Sequence, residues 1–367
     1  MKKKISIITL LSGFALLIAG ALILSSCEGP AGLDGANGAD GIDGIDGIDG
    51  ADGVDGNGTC IICHDSEVVL FAKEQQAESS HHLTGGNYER SHADCAICHT
   101  HQGFTEILGT ELTEASADIV DPAPINCRTC HMIHTNYDET DWALVSTSAV
   151  DLKFADGTID LAGPSNLCVN CHQFRAISPM PVIGGDSVSI TSSRWGPHHG
   201  PQGNNLWGIG GYKIAGSKSY PTEGSHPHAS AGCVKCHMAP VPYGGRTAGG
   251  HTLNMTYEYH GSEEDNVGAC TTCHPTLEDL ETFDYHDVQT TVDGLVADLE
   301  AIFVANGWMD APGALWNAKS TAPLKVTADE AGAMLNYKIV TEDRSHGVHN
   351  AAYLVALLTN SLESLQP

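Results

Sequence analysis

One spacing recurs along this chain and constrains it more than any other feature. It is Cys-x-x-Cys-His, found at Cys60–His64, Cys95–His99, Cys127–His131, Cys168–His172, Cys233–His237 and Cys270–His274. These six copies use every cysteine but Cys27. The histidine belongs to the unit. With 20 histidines in 367 residues, six matches by chance have a probability of roughly a few in a hundred million. A zinc site uses paired cysteines but has no need of a histidine directly after the second one. A disulfide framework constrains the cysteines and not the residue that follows. A thioredoxin-like dithiol would be one copy on a helix in a βαβ context, not six in a loop-rich chain.

Covalent attachment of a c-type haem accounts for every element. Two thiols a helical turn apart add to the two vinyl groups of one haem, and the next residue sits under the iron as proximal ligand. The expectation is six c-type haems. Their attachment points are Cys60, Cys63, Cys95, Cys98, Cys127, Cys130, Cys168, Cys171, Cys233, Cys236, Cys270 and Cys273, and their proximal ligands are His64, His99, His131, His172, His237 and His274.

The N-terminus speaks of export. Lys2, Lys3 and Lys4 precede an apolar run from Ile5 to Leu24, the layout of a secretory signal. About 20 apolar residues also suffice to span a bilayer, so a retained membrane helix is the alternative. Leu24-Ser25-Ser26-Cys27 resembles a bacterial lipobox. That resemblance implies lipidation at Cys27 and explains the odd cysteine. Either way the body is exported. The outer membrane or cell surface is the expected place, with the periplasm as the other option.

From Gly29 to Gly56 every third residue is glycine, the collagen period. Aspartates fill most third positions of these triplets, without lysines to offset them, so three parallel copies would repel. A flexible acidic spacer and a short trimerising stalk both remain open. Extended, the segment reaches roughly 90 Å. The expected organisation is a signal over 1–26, a spacer over 27–58 and a haem-bearing body over 59–367.

In the body, aromatic residues are few and Gly and Pro common, and long segments such as Pro179 to Gly224 lack periodicity. Porphyrins would supply the missing apolar bulk, with loops wrapped around them. Helical periodicity returns late. Val292, Leu295, Val296, Leu299, Ile302 and Phe303 share one helix face, Asn350 opens a second helix, and Ala328 to Val340 forms a third. The fold class is therefore mainly α with extensive loop, short helices around six haems and a C-terminal helical cap. A radius of gyration of roughly 19 Å crowds six such groups together.

The formal net charge is −28, and the signal segment carries three lysines and no acids. Nucleic acid is excluded as a partner on that balance. Redox partner proteins, metal ions or mineral surfaces are the expected ones, alongside the membrane through the lipid anchor.

Function turns on the sixth iron ligand. An iron capped on both faces passes electrons, while one with an open face transforms a small molecule. The remaining histidines outnumber the haems and Met is scarce, so bis-His ligation is expected. The candidates are His82 in Ser-His-His-Leu, His134 in Cys-His-Met-Ile-His, His199 in Gly-Pro-His-His-Gly and His228 in Ser-His-Pro-His, with His226 as rival to His228. His134 lies too close to His131 to cap the same iron, so it serves a neighbour. His251 in Gly-Gly-His-Thr and His349 in Gly-Val-His-Asn complete the set, whereas His92, His101, His260, His286 and His346 are read as non-ligands.

These contexts resemble the exported multihaem cytochrome c families of bacteria. Gly-Gly-His-Thr and Gly-Val-His-Asn are similar to distal-ligand segments in the nitrite- and tetrathionate-reductase-related members, which implies that His251 and His349 are distal ligands. The resemblance runs from Cys60 to about Leu358, but the segments between motifs are not diagnostic. Ammonia-forming nitrite reductases usually place a lysine where the proximal histidine would be on the catalytic haem. All six motifs here end in histidine, so the resemblance supports ligand placement more than catalysis. The chain also resembles the hexahaem cytochromes that polymerise into conducting filaments, although an anchor and spacer suit that less well.

The leading expectation is an electron carrier with no catalytic residue, serving extracellular respiration. A second is a reductase of nitrogen or sulfur oxyanions, which would need one open haem and anion-binding groups such as Arg175, Arg194 or Tyr212. A third is a subunit of a trimer or filament.

Overall fold

The structure is a computed structural model. It describes residues 60, 63–84, 88–241, 245–274 and 282–366. The signal segment, Cys27 and the glycine-periodic spacer lie outside the described residues. No described helix is long and apolar enough to cross a membrane.

The chain begins with short helices joined by loops. Helix α1 (Glu67–Glu78) is followed at once by the single turn α2 (Ser80–Thr84). Helices α3 (Ala93–His99) and α4 (His101–Ile107) are separated only by Thr100, whose buried hydroxyl caps α4 by accepting from the Gly103 N–H at 3.0 Å. The turn α5 (Cys127–Cys130) is held by a capping box. The Asn126 side chain accepts from the Arg128 N–H at 3.0 Å, and the Thr129 hydroxyl accepts from the Asn126 N–H at 3.0 Å.

A small hairpin, β1 (Val150–Asp151) with β2 (Thr158–Ile159), precedes α6 (Asn166–Val169). Strand β3 (Val188–Ile190) and α7 (Gln202–Trp207) follow. They give order to a stretch expected to be loop. Helix α8 (Pro227–His237) starts on a proline, which costs nothing at that position. It kinks at Gly232, where φ is 68°. A second hairpin, β4 (Thr256–Tyr259) with β5 (Ser262–Asp265), leads into a 3₁₀ turn over Val267–Thr272.

The last quarter is different. Helix α9 (Val288–Ala305), strand β6 (Leu324–Val326), α10 (Ala328–Asp343) and α11 (Ala351–Leu365) make up the expected helical cap. Strand β6 pairs antiparallel with the distant β3, Ile190 opposite Leu324. Around them lies the largest apolar core, built on Leu299, Phe303, Met334, Leu335, Tyr353, Leu354 and Leu357. Phe174, Trp195 and Trp316 reach into it from outside the three helices. The Trp316 indole donates to the Trp195 carbonyl at 2.9 Å, so the buried ring keeps its hydrogen bond. The cap is thus the main side-chain core of the described residues and not a thin cover over the body. Elsewhere the apolar clusters are small, such as Ile97, Ile107 and Ala115 around α3 and α4.

Candidate haem-binding centre

Five motifs sit on or at the end of a short helix or 3₁₀ turn. They lie in α3, in α5 and its C-cap His131, in α6 and the turn after it, in α8, and in the Val267–Thr272 turn with the two residues beyond it. Such a turn sets two cysteines three residues apart on one side, with the histidine next in line. The twelve described cysteines are free, and none is fully buried. That is unusual for a residue type that is among the most buried. No three His, Cys, Asp or Glu side chains among the described residues are grouped to hold a metal ion as a zinc site would need.

The motif histidines tell more. Each faces one other histidine. His64 faces His134 with ring centres 6.2 Å apart, His99 faces His198 at 6.3 Å, and His131 faces His251 at 6.2 Å. His172 faces His81 at 5.8 Å, His237 faces His349 at 6.4 Å, and His274 faces His228 at 6.2 Å. A metal–imidazole bond of about 2.0 Å and about 1.1 Å from nitrogen to ring centre, taken twice, give about 6.2 Å for two rings on opposite faces of one metal. Each of the six pairs therefore has a spacing that would fit one iron between its two imidazoles.

Hydrogen bonds orient the rings. His131 Nδ1 lies 2.6 Å from the Trp142 carbonyl, His237 Nδ1 2.9 Å from that of Leu253, and His228 Nδ1 2.8 Å from that of Val348. His172 Nδ1 meets the Gln202 side-chain oxygen at 3.0 Å. A carbonyl can only accept, so in each case Nδ1 carries the proton and Nε2 keeps its lone pair for a metal. Glycine makes room for the Gln202 contact. The Gly203 N–H donates to the His172 carbonyl at 2.9 Å, and a Cβ there would stand 2.6 Å from that oxygen.

Burial keeps several rings neutral, the form a metal requires. Burial, with the neighbouring His172 and His237, pushes His81 down to about 4. Burial, with Arg90 and His198 nearby, does the same to His99. It also holds His172, His237 and His251 below the usual imidazole range.

The loops bearing the distal rings are specifically braced. Asp141 accepts from the backbone N–H groups of His134 at 2.7 Å, Asn136 at 2.7 Å and Tyr137 at 3.2 Å. This carboxylate holds His134 in the left-handed region, at φ 66°. His198 is also left-handed, at φ 65°. Such backbone in a non-glycine residue persists only where the surroundings enforce it. His251 is held by Gln75 of α1, whose side-chain oxygen accepts its N–H at 3.2 Å.

The motifs also abut one another. The neighbouring Cys98, then burial, raises the Cys171 thiol. The neighbouring Cys168, then burial, raises the Cys233 thiol. Burial, with Cys168 and Cys127 nearby, pushes Cys130 up to about 12. Burial, then Cys270 and Cys273, raises Cys236. The fourth motif thus neighbours the second, third and fifth, and the fifth neighbours the sixth.

At two of the candidate positions the structure brings the adjacent histidine, not the expected one, to the motif ring. In α2 it is His81, not His82, that faces His172, and His82 is exposed. In Gly-Pro-His-His-Gly it is His198, not His199, that faces His99, while the exposed His199 pairs with Glu342. In α2 consecutive residues point about 100° apart, so only one of His81 and His82 can face His172. Nothing in the sequence tells adjacent histidines apart. The rivalry of His226 and His228 resolves by capping: His226 Nδ1 accepts the His228 N–H at 3.2 Å at the start of α8. Three of the histidines read as non-ligands have other partners. His92 meets Asp118 at 3.1 Å, His346 meets Asp293 at 2.6 Å, and His101 meets the Thr129 hydroxyl at 2.9 Å.

No protein-family model matches the chain, and no curated protein does. A solved structure, that of the outer cell wall cytochrome OcwA, is similar at 20% identity with a TM-score of 0.46. The match covers 80% of this chain and 50% of that one, so the chain spans half the length of that protein. A likeness this distant establishes neither family nor function.

Proposed function

We propose that this chain is an electron-transfer protein carrying six bis-His c-type haems. One observation carries the reading: each of the six motif histidines faces a second histidine at a spacing that fits one iron between them. Haem supplies a one-electron Fe(III)/Fe(II) couple when bound. The chain's part is to fix each group by two thioethers, cap both sides of the iron and set the groups beside one another.

The contacts between motifs support an order. His134 follows His131 by three residues, which sets the first site beside the third. The third, fourth, fifth and sixth then continue in a line, and the second branches from the fourth through Cys98 and Cys171. In this reading the chain offers three ends for donors and acceptors. The signal, the lipobox-like Cys27 and the spacer support an exported protein tethered to the outer membrane or cell surface. The acidic charge supports protein, metal-ion or mineral partners over nucleic acid.

Two of the three anion-binding groups a reductase would use are engaged with carboxylates. Arg175 is engaged with Asp94 at 3.1 Å, and the buried Tyr212 donates to Asp329 at 2.9 Å. Carbon monoxide binding to the dithionite-reduced, haem-loaded protein tests the choice. The native Soret band is expected not to change. His81→Ala should open about one-sixth of the Soret intensity to carbon monoxide, and His82→Ala none. A native protein that binds carbon monoxide would sink the proposal.

A further inference from the structure

Among the described Nδ1 contacts of the twelve paired histidines, the one at His349 is chemically distinct. Its partner is a carboxylate. His349 Nδ1 lies 2.8 Å from Asp343 Oδ1, and the Asp343 side chain has no exposed surface. The corresponding contacts of His131, His172, His228 and His237 go to neutral oxygens. Asp343 is the last residue of α10, so its position is set by the main core. Its second oxygen accepts from the Ser345 hydroxyl, which in turn accepts the His349 N–H at 3.2 Å. Carboxylate, hydroxyl and imidazole form a closed local set that fixes the ring.

A carboxylate that accepts an imidazole proton makes the other ring nitrogen a stronger donor. A stronger donor and a nearby buried negative charge both favour Fe(III), which carries one more positive charge than Fe(II). Both effects act in the same direction, and among the described Nδ1 contacts they combine only here. From this we propose that Asp343 tunes the haem held between His237 and His349, making it the most negative in potential of the six. The inference rests on the bis-His reading above. In the line of sites it would place the fifth, between the fourth and the sixth, as an energetic step within the row and not at an end. Asp343 acts here as a positioning and tuning residue, since it touches the ligand and not the iron.

Spectroelectrochemistry of the full haem-loaded chain, with small one-electron mediators, tests this. Asp343→Asn keeps the shape and an accepting oxygen but removes the charge. The expected result is a full complement of haems, carbon monoxide still excluded, and the most negative of the six components moved to more positive potential while five stay in place. The low-spin electron paramagnetic resonance spectrum should change for one haem in six. Ser345→Ala removes the hydroxyl that shares the carboxylate's charge, so the same component should move in the opposite direction. That second variant decides the matter if Asp343→Asn fails to fold. An unmoved lowest component in Asp343→Asn, with carbon monoxide still excluded, overturns this inference alone. Carbon monoxide binding by that variant also overturns it, because Asp343 would then only hold the ring in place. Carbon monoxide binding by the native protein overturns the bis-His reading itself.

Discussion

The C-terminal helices and the motif-bearing loops reach order by different routes. Between Val288 and Leu365, apolar residues at helical spacing meet across α9, α10 and α11. Leu299, Phe303, Leu335, Leu354 and Leu357 have no exposed surface at all. That region assembles from its own side chains, by removing apolar surface from water. Between Tyr88 and Asn166 the apolar clusters are a few residues each, and the ordering residues are polar: Thr100, Asn126, Asp141 and Asn166. Its cysteines and histidines are arranged to hold a group between them. In the proposed reading, haem takes the place of the apolar side chains this region lacks.

Withholding haem breaks the comparison most severely. With serine at all twelve motif cysteines, amide hydrogen exchange should reach unfolded-chain rates across 88–165 and 227–274, while α9 to α11 keep their protection. Uniform loss or uniform retention would mean the two regions do not differ as argued. Next in size is Leu335→Ala in the fully buried centre of α10. It should cost about 2–5 kcal/mol, seen as a lower denaturant midpoint by far-ultraviolet circular dichroism. The Soret band should stay that of six bis-His haems up to the new midpoint, and a Soret change in advance of the helical transition would count against the separation. The smallest effect is the converse one. Asp141→Ala releases the His134 loop, so a fraction of molecules should bind carbon monoxide at one haem, at most about one-sixth of the Soret intensity. The helical transition should not move, and a shift there would show that the loop and the helices are coupled.

Much of the fold was legible. The three C-terminal helices follow from apolar residues repeating every three to four positions, which a helix needs in order to bury one face. The Thr327 and Glu330 capping box marks the start of α10 in the same local way. The pairing of β3 with β6 was not legible. Three-residue strands carry too little alternation to be read, and their partners lie more than a hundred residues apart. Nor was the extent of the main core, because Phe174, Trp195 and Trp316 join it from loops that have no periodicity.

The site divides along the same line. Cys-x-x-Cys-His is a five-residue local unit, so the sequence alone supplies both thiols and the first ligand of every proposed site. The second ligand has no local constraint, because it approaches from the far side of a flat group and comes from wherever the chain happens to return. His134 comes from the loop next door and His349 from beyond α10. Choosing His81 over His82, and His198 over His199, needs the phase of a turn against a body folded elsewhere. Only the tertiary structure supplies that phase, since neighbouring side chains share every local property except direction.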